Sequence, residues 1–379
     1  MPSIRIETPA IRVKMQTITV NLGTASYPAH VGTNILDRLG KLACDAGLKP
    51  GLCAIITDSN VEKLYGARVT DALQKSGFSP TIISVPPGEA SKSLATLEVL
   101  YDRMTASGLD RASAVFALGG GVVGDLAGFA AATYLRGVPI VQIPTTVVAQ
   151  VDSALGGKTG VNHRHAKNLI GAFHQPRVIV ADVTTLTTLP DREFREGLAE
   201  VIKYAAIMDA PMIADLERGL DAILARKLEP LEAVVARSLT HKAAVVSADE
   251  REDGLRKTLN FGHTIGHAIE ASAGYTNYFH GEAVAIGMVA AGRLSSAFVG
   301  FSADQASQLQ RLLERAGLPT AMPPNWHSDG FLRALSLDKK RAAGAIEFIL
   351  LDRLGHALTR SLSLDEIVTP LSAVHDPQT

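Results

Sequence analysis

The chain has 379 residues, 46% apolar and 20% charged, enough to bury a large core and to divide into two domains. Lys and Arg total 37 against 38 Asp and Glu, a net charge of −1 that excludes the broad basic face of a nucleic-acid or anionic-membrane binder. Cys44 and Cys53 are too few for a disulfide framework or a zinc knuckle, and Asp125 and Gln150 interrupt the two most apolar regions below membrane-spanning length, so a cytoplasmic protein is expected.

Residues 1–15 carry Glu7 and no continuous apolar core, which reads as a loose extension rather than a secretory signal. From residue 16, short β-branched runs alternate with helical patterns. "QTITVNLG" alternates apolar and polar residues and predicts a strand. "GLCAIITDSNV" predicts a buried strand ending in a polar turn at Asp58 to Asn60, and "SPTIISVPPGEASKS" another strand leading to the helical "LATLEVLYDRMTASG". "SAVFALGGG", "PIVQIPTT" and "PRVIVADVTTL" continue the series. The alternation predicts an α/β domain, Rossmann-like and with a mostly parallel sheet, whose ligands lie beyond the carboxyl ends of the strands. Asp58, Glu89, the Gly119–Asp125 loop and Thr145–Thr146 fall at that edge.

Gly119, Gly121 and Gly124 spell G-x-G-x-x-G, but they follow the fourth or fifth strand, and no acid between Asp125 and Asp152 is available for a ribose. A glycine loop offering N–H groups to a phosphate and a plain tight turn both fit these residues. Further on, "AQVDSALGGKTGVNHRHAKNLIGAFHQP" is too rich in glycine and polar residues for a simple connector. Its Asp152, Lys158, Lys167 and Asn168 would suit a doubly anionic substrate.

After Pro190 the texture becomes helical, with "GAIEFILLD" the main strand-like exception. The expected units are an α/β domain at 16–187, an all-α or mainly helical domain at 188–372 and a tail at 373–379, with the chemistry in the cleft between the domains. "RKTLNFGHTIGHAIE" predicts one helix placing Arg256, Asn260, His263 and His267 within an arc of roughly 60°. Four polar groups in register make a poor core face. Helical i, i+4 histidines can share a metal, but the glutamate of H-E-x-x-H is missing, so metalloprotease chemistry is not indicated. His280, at a loop-to-helix junction, and Glu200, one turn from Lys203, could complete a divalent-metal site. From the residues alone, a metal site and a structural polar network both remain open.

Taken together, "GGGVVGDLAGFAAATYLRG", "IPTTVVAQVDSALGGKTGVN", "AKNLIGAFHQP", "GLAEVIKY", "LNFGHTIGHAIE" and "HGEAVAIGM" resemble the 3-dehydroquinate synthase family of sugar phosphate cyclases, from about Thr57 to Leu351. The resemblance implies a lyase of the shikimate route to chorismate and the aromatic amino acids. It would convert 3-deoxy-D-arabino-heptulosonate 7-phosphate to 3-dehydroquinate and phosphate. The steps would be transient oxidation by NAD, phosphate elimination, re-reduction, ring opening and aldol closure.

It further implies that Glu200, His263 and His280 hold Zn²⁺ or Co²⁺ while His267 faces substrate. Lys158, Lys242, Arg256 and Asn260 would meet the substrate carboxylate. Lys203, Asn168, His267 and Lys340, preferred to Lys339, would meet the phosphate, with Asp152, Lys167 and Glu252 in the same site. NAD would lie on Asp58, Asn60, Glu89, Lys92, Gly120, Gly121, Val122, Val123, Gly124, Asp125, Thr145, Thr146, Lys158, Lys167, Thr185, Leu186, Thr187 and Thr188. Arg136 would reach a neighbouring subunit's site, implying a homodimer with no nucleic-acid or membrane partner. Valiolone- and inosose-type cyclases are rivals, but Asn260 and His267 fit the dehydroquinate pattern better. The related glycerol and alcohol dehydrogenases act on neutral polyols, which need no such cation set. A non-catalytic NAD- and metal-binding regulator would not require every one of these polar positions.

Overall fold

The computed structural model describes residues 15–273, 277–324, 326, 328–336 and 345–372. Residues 1–14 of the expected extension, the tail at 373–379, and Lys339 and Lys340 lie outside the described residues. The first half is a seven-stranded sheet in the order β1-β2-β9-β6-β5-β3-β4. Its strands are β1 (Met15–Val20), β2 (Tyr27–Gly32), β3 (Leu52–Asp58), β4 (Ser79–Val85), β5 (Ala114–Gly119), β6 (Ile140–Pro144) and β9 (Val178–Asp182). Only β1 runs antiparallel to its neighbour. The helices of this half are α1 (Leu39–Asp45), α2 (Ser59–Val61), α3 (Ala67–Gln74), α4 (Leu94–Ala106) and α5 (Gly121–Thr133).

The alternation of side chains across a strand explains the continuous apolar runs. Cys53 and Ile55 of β3 and Phe116 of β5 enter the core on one face, whereas Ala54, Ile56, Val115 and Ala117 enter the core on the other. The chain steps from β3 outward to β4, then returns to β5 on the other side of β3. That reversal opens a crevice at the carboxyl ends of β3 and β5, where Asp58 and the glycine loop lie.

A separate antiparallel hairpin, β7 (Lys158–His163) and β8 (Ala166–Phe173), stands off the main sheet against α5. Sequence reading did not resolve it into strands, because Gly160 and Gly171 interrupt them and apolar and polar residues do not alternate along either. It also missed β2, where Pro28 and His30 break the apolar pattern.

The second half contains α6 (Asp191–Met208), α7 (Ala210–Leu224), α8 (Leu228–Ala248), α9 (His263–Ser272), α10 (His280–Phe298), α11 (Ala303–Arg315), α12 (Asp329–Ser336) and α13 (Leu364–Ser372). It also carries a β-hairpin, β10 (Ile346–Arg353) and β11 (His356–Leu362), whose Phe348 and Leu350 share a core with Ile265 and Ile286. Another core joins the halves: Val20, Tyr27, Ala29 and Val31 of the first pack with Leu198, Ile213 and Leu239 of the second. None of the described helices is long and apolar enough to cross a membrane.

One sequence expectation is corrected. Arg256 to Glu270 is not one helix: Leu255–Asn260 is a 3-10 turn, Gly262 takes a left-handed conformation with φ 80°, and α9 starts at His263. Arg256 and Asn260 therefore do not share a helical face with the histidines; they meet them across the break. The cause is the approach of α10: an alanine Cβ at Gly262 would sit 2.6 Å from Met288 Cγ and 2.8 Å from the carbonyl oxygen of Val284.

Candidate active site

Three helices converge on an acid–imidazole cluster. Glu200, on α6, is almost fully buried, and its Oε1 accepts no hydrogen bond. His263 Nε2 lies 3.6 Å from that oxygen and His280 Nε2 3.8 Å. An unsatisfied buried carboxylate oxygen is costly. Here one faces two imidazole nitrogens at separations too long for hydrogen bonds, and a divalent cation among the three would satisfy all of them. The residues therefore fit a metal. Burial, with Lys203 and His280 adjacent, holds His263 well below the usual imidazole range, so it stays neutral as a ligand must be. In the metal-free chain burial disfavours the charge on His280, but the Glu270 carboxylate on Nδ1 prevails and raises it to about 9.

Close helix packing fixes this geometry. Gly281, next to His280, touches the backbone of α6: an alanine Cβ there would sit 1.9 Å from the carbonyl oxygen of Glu196. The Gly281 N–H also donates to Glu196 Oε2 at 2.8 Å.

Beside the cluster lies a cavity of about 480 Å³, lined from both halves and from the β7–β8 hairpin. Its polar wall includes Asp125, Asp152, Lys158, Asn168, Lys203 and Lys242, faced by Glu252, Arg256, Asn260, His263, His267 and His280. The structure thus brings together most of the substrate and metal residues expected from sequence. Each lysine in or beside the cavity is held by a carboxylate: Lys158 by Glu252, Lys203 by Glu200, Lys242 by Asp152, Lys92 by Asp125 and Lys167 by Glu270. Burial opposes the charge on Lys203, but Glu200 and Asp152 outweigh it and raise its affinity for a proton. Lys242, for which burial prevails, is lowered. Asp152 also accepts from Tyr204 at 2.5 Å. Asn168 sits in the left-handed region at φ 56°, with its N–H bonded to Asn162 and its side-chain oxygen to Lys92.

The cofactor positions expected from sequence gather along the carboxyl edge of the sheet. Gly120 starts α5 without a side-chain cap, leaving the first N–H groups of a 13-residue helix open to an anion. An alanine Cβ at Gly120 would lie 2.9 Å from Thr146, and the buried Thr145 Oγ1 has no hydrogen-bond partner. This cradle of small residues with a spare hydroxyl fits a dinucleotide phosphate. Asp58 caps α2 through the N–H groups of Asn60 and Val61, and Glu89 accepts from Asn162. Glu89, Lys92 and Lys167 border a second hollow beside the hairpin tip.

At the remaining expected positions most side chains are buried or already engaged. Val123 and Leu186 are core side chains that could offer only backbone. Thr185 Oγ1 is engaged with Asp182 and Gln150, and Thr188 with Tyr65. Thr187 is exposed and donates to Thr184, while Val122 is half-buried. Arg136 is exposed with φ 69°, at the end of the 3-10 turn Tyr134–Arg136 that follows α5, and does not line this cavity.

Two family models cover most of the chain: 3-dehydroquinate synthase N-terminal over residues 82–196 and 3-dehydroquinate synthase C-terminal over 197–341. The 3-dehydroquinate synthase of Geobacter metallireducens is 47% identical over 355 residues, 93% of this chain and 98% of the relative. That of Pelobacter propionicus is 49% identical, covering 94% and 98%. The chain belongs to the 3-dehydroquinate synthase family.

Solved structures similar to this family member include two other cyclases. A Streptomyces hygroscopicus 2-epi-5-epi-valiolone synthase, solved with NAD⁺ and Zn²⁺, is 28% identical with a TM-score of 0.84, covering 92% of this chain and 96% of that one. A 2-deoxy-scyllo-inosose synthase, solved with carbaglucose-6-phosphate, NAD⁺ and Co²⁺, is 26% identical with a TM-score of 0.85, covering 94% and 99%. Glycerol dehydrogenase of Schizosaccharomyces pombe, at 18% identity and TM-score 0.64, shares the fold. Within this 3-dehydroquinate synthase fold, sequence reading missed Glu270, Asn162 and Tyr204, which hold other site residues. Only Glu270 carried a clear signal, being three and seven residues after His267 and His263 on the same helical face.

Proposed function

We propose that the chain converts 3-deoxy-D-arabino-heptulosonate 7-phosphate to 3-dehydroquinate and phosphate, using NAD within each turnover and one divalent ion, Zn²⁺ or Co²⁺. The observation that carries this reading is the dense set of buried and half-buried cations around an acid–imidazole cluster. A substrate with a carboxylate at one end and a phosphate at the other needs it; a neutral polyol does not. The 47–49% identity to named 3-dehydroquinate synthases, against 26–28% to the valiolone and inosose synthases, supports the dehydroquinate product.

Glu200, His263 and His280 would hold the metal, which when bound polarises a substrate hydroxyl and favours its deprotonation. NAD, along Asp58, Glu89, Lys92, the Gly120–Asp125 loop and Thr145–Thr146, supplies reversible hydride acceptance. Lys158, Lys242, Arg256 and Asn260 bind the carboxylate, and Lys203, Asn168 and His267 the phosphate. Arg256 is pre-set for its part, since its guanidinium already donates to the carbonyls of Glu250 and Gly156. Asp152 anchors Lys242 through two hydrogen bonds, at 2.7 and 2.8 Å, and so orients that ammonium. Lys203, held in the same way by Glu200, is a fixed charge placed to stabilise the developing anion of the departing phosphate without reorganisation. Arg136, exposed and not part of its own cavity's lining, serves the site of a second subunit in a cytoplasmic homodimer.

The test is to incubate the purified chain with the heptulosonate phosphate, NAD⁺ and Zn²⁺. Phosphate should be released with no net NADH. Stoichiometric NADH would instead indicate a dehydrogenase, and neither product would refute the reading.

A further inference from the structure

Glu270 lies in the second half of α9, only 4% exposed. A carboxylate this deep must be compensated by partners, and among the described residues two side chains bond to it directly. Its Oε2 is 3.2 Å from His280 Nδ1, and its Oε1 is 3.1 Å from Lys167 Nζ on β8. The first contact determines which nitrogen of His280 is left for the cluster: with Nδ1 bound to Glu270, Nε2 is the atom that faces Glu200.

We infer that Glu270 is a positioning residue that fixes the ring and tautomer of His280, with Lys167 holding its second oxygen so that the carboxylate does not itself become a ligand. The inference rests on the assignment of Glu200, His263 and His280 as metal ligands made above. Carboxylates in this position orient a ligating imidazole and strengthen it as a donor. An alternative grouping exists, since His267, Glu270 and His280 also bring ligand atoms within 4.8 Å of one another. Two features disfavour it. Glu270 approaches His280 on the nitrogen opposite to the one shared with Glu200, and a Lys167 ammonium on the same carboxylate would compete with any cation placed there. The arrangement also joins the two halves: β8 belongs to the hairpin that lines the cavity from the α/β side, and Lys167 reaches from it to the metal end of the cleft.

The experiment is a Zn²⁺ titration of the metal-stripped full-length chain in competition with a chromophoric chelator. Wild type, Glu270→Gln, Glu270→Ala, His263→Ala and Glu200→Gln are compared, and the visible spectrum of each Co²⁺ form and the melting temperature of each metal-free form are recorded. Positioning predicts that both Glu270 variants bind Zn²⁺ about 10–100-fold more weakly and give an altered Co²⁺ spectrum at saturation. His263→Ala and Glu200→Gln should lose binding altogether. Wild-type affinity and spectrum in Glu270→Gln would overturn the inference, even if its metal-free melting temperature fell, because that pattern belongs to a purely structural carboxylate. Loss as complete as in His263→Ala would overturn it in favour of direct ligation. Wild-type affinity in His263→Ala and Glu200→Gln would instead refute the ligand set itself, whatever Glu270 does. Should Glu270→Ala fail to fold, the isosteric Glu270→Gln carries the same comparison.

Discussion

Replacing Gly281 by alanine tests whether the close approach of α10 to α6 is what sets the metal cluster. The new Cβ would lie 1.9 Å from the carbonyl oxygen of Glu196, a backbone atom on the helix that carries Glu200. The two backbones must part by about 1 Å to reach even a tight contact, and overpacking of this kind costs about 1–3 kcal/mol. The functional effect should be larger than the loss of stability. His280 is the neighbouring residue, and metal–ligand distances tolerate only about ±0.2 Å. A displacement several times that tolerance should weaken Zn²⁺ binding by roughly two orders of magnitude, and kcat/KM should fall by a similar factor. Chelator competition, urea denaturation of the metal-free form and phosphate release would measure the three quantities. Gly219→Ala is the control, because it sits within α7 with nothing within 4 Å of its added Cβ, and it should gain about 0.4–1 kcal/mol. Wild-type Zn²⁺ affinity in Gly281→Ala would refute the claim that this contact positions His280.

His267→Ala should keep Zn²⁺ affinity while turnover falls by about 10²-fold or more; equal loss of metal would place His267 among the ligands. Burial disfavours the charge on Asp152, yet Lys242 and Lys203 hold its carboxyl below the usual range. A carboxyl depressed in the folded state adds stability above its unfolded pKa, and that stability is lost as pH falls through the folded value. Folding free energy should therefore decline below about pH 4. Asp152→Asn should flatten that limb and cost about 3–5 kcal/mol at pH 7 by leaving buried Lys242 without its carboxylate; urea denaturation at pH 7 and pH 3 that finds no loss would sink the point. For Arg136, mixing inactive Arg136→Ala with inactive His263→Ala protein and allowing subunits to exchange should restore about a quarter of wild-type activity, since one site in each mixed dimer is intact. No recovery despite confirmed exchange would mean that Arg136 acts within its own chain.

The strands buried on both faces were readable because every second residue must be apolar on each side: β3 and β5 announce themselves as "CAIIT" and "AVFALG". The order of elements then placed Asp58, Glu89, the glycine loop and Thr145–Thr146 on one edge. The break at Phe261–Gly262 was not readable. A lone glycine is tolerated within a helical pattern, and what decides here is contact with Val284 and Met288, some twenty residues later. The same break explains how a one-face argument could gather Arg256, Asn260, His263 and His267 for the wrong geometrical reason, since all four do line one cavity. The β7–β8 hairpin escaped because its strands, interrupted by Gly160 and Gly171, carry no two-residue alternation. Except for Glu200, one turn from Lys203, the carboxylate partners of the lysines escaped because their pairings span elements distant in sequence, as Lys167 to Glu270 does.

The core shared by β1, β2 and the helices of the second half has a consequence for how the chain matures. Val20, Tyr27, Ala29 and Val31 leave the ribosome early, but part of their apolar cover comes from Leu198 to Leu313. At about 5–20 residues per second, the helices supplying that cover follow some tens of seconds later. During that interval the nascent sheet presents an uncovered apolar surface beside its antiparallel edge strand, the kind of surface that chaperones bind. A fragment ending near residue 187 should accordingly aggregate when expressed alone, and adding the missing half in trans during synthesis should rescue more of it than adding that half afterwards.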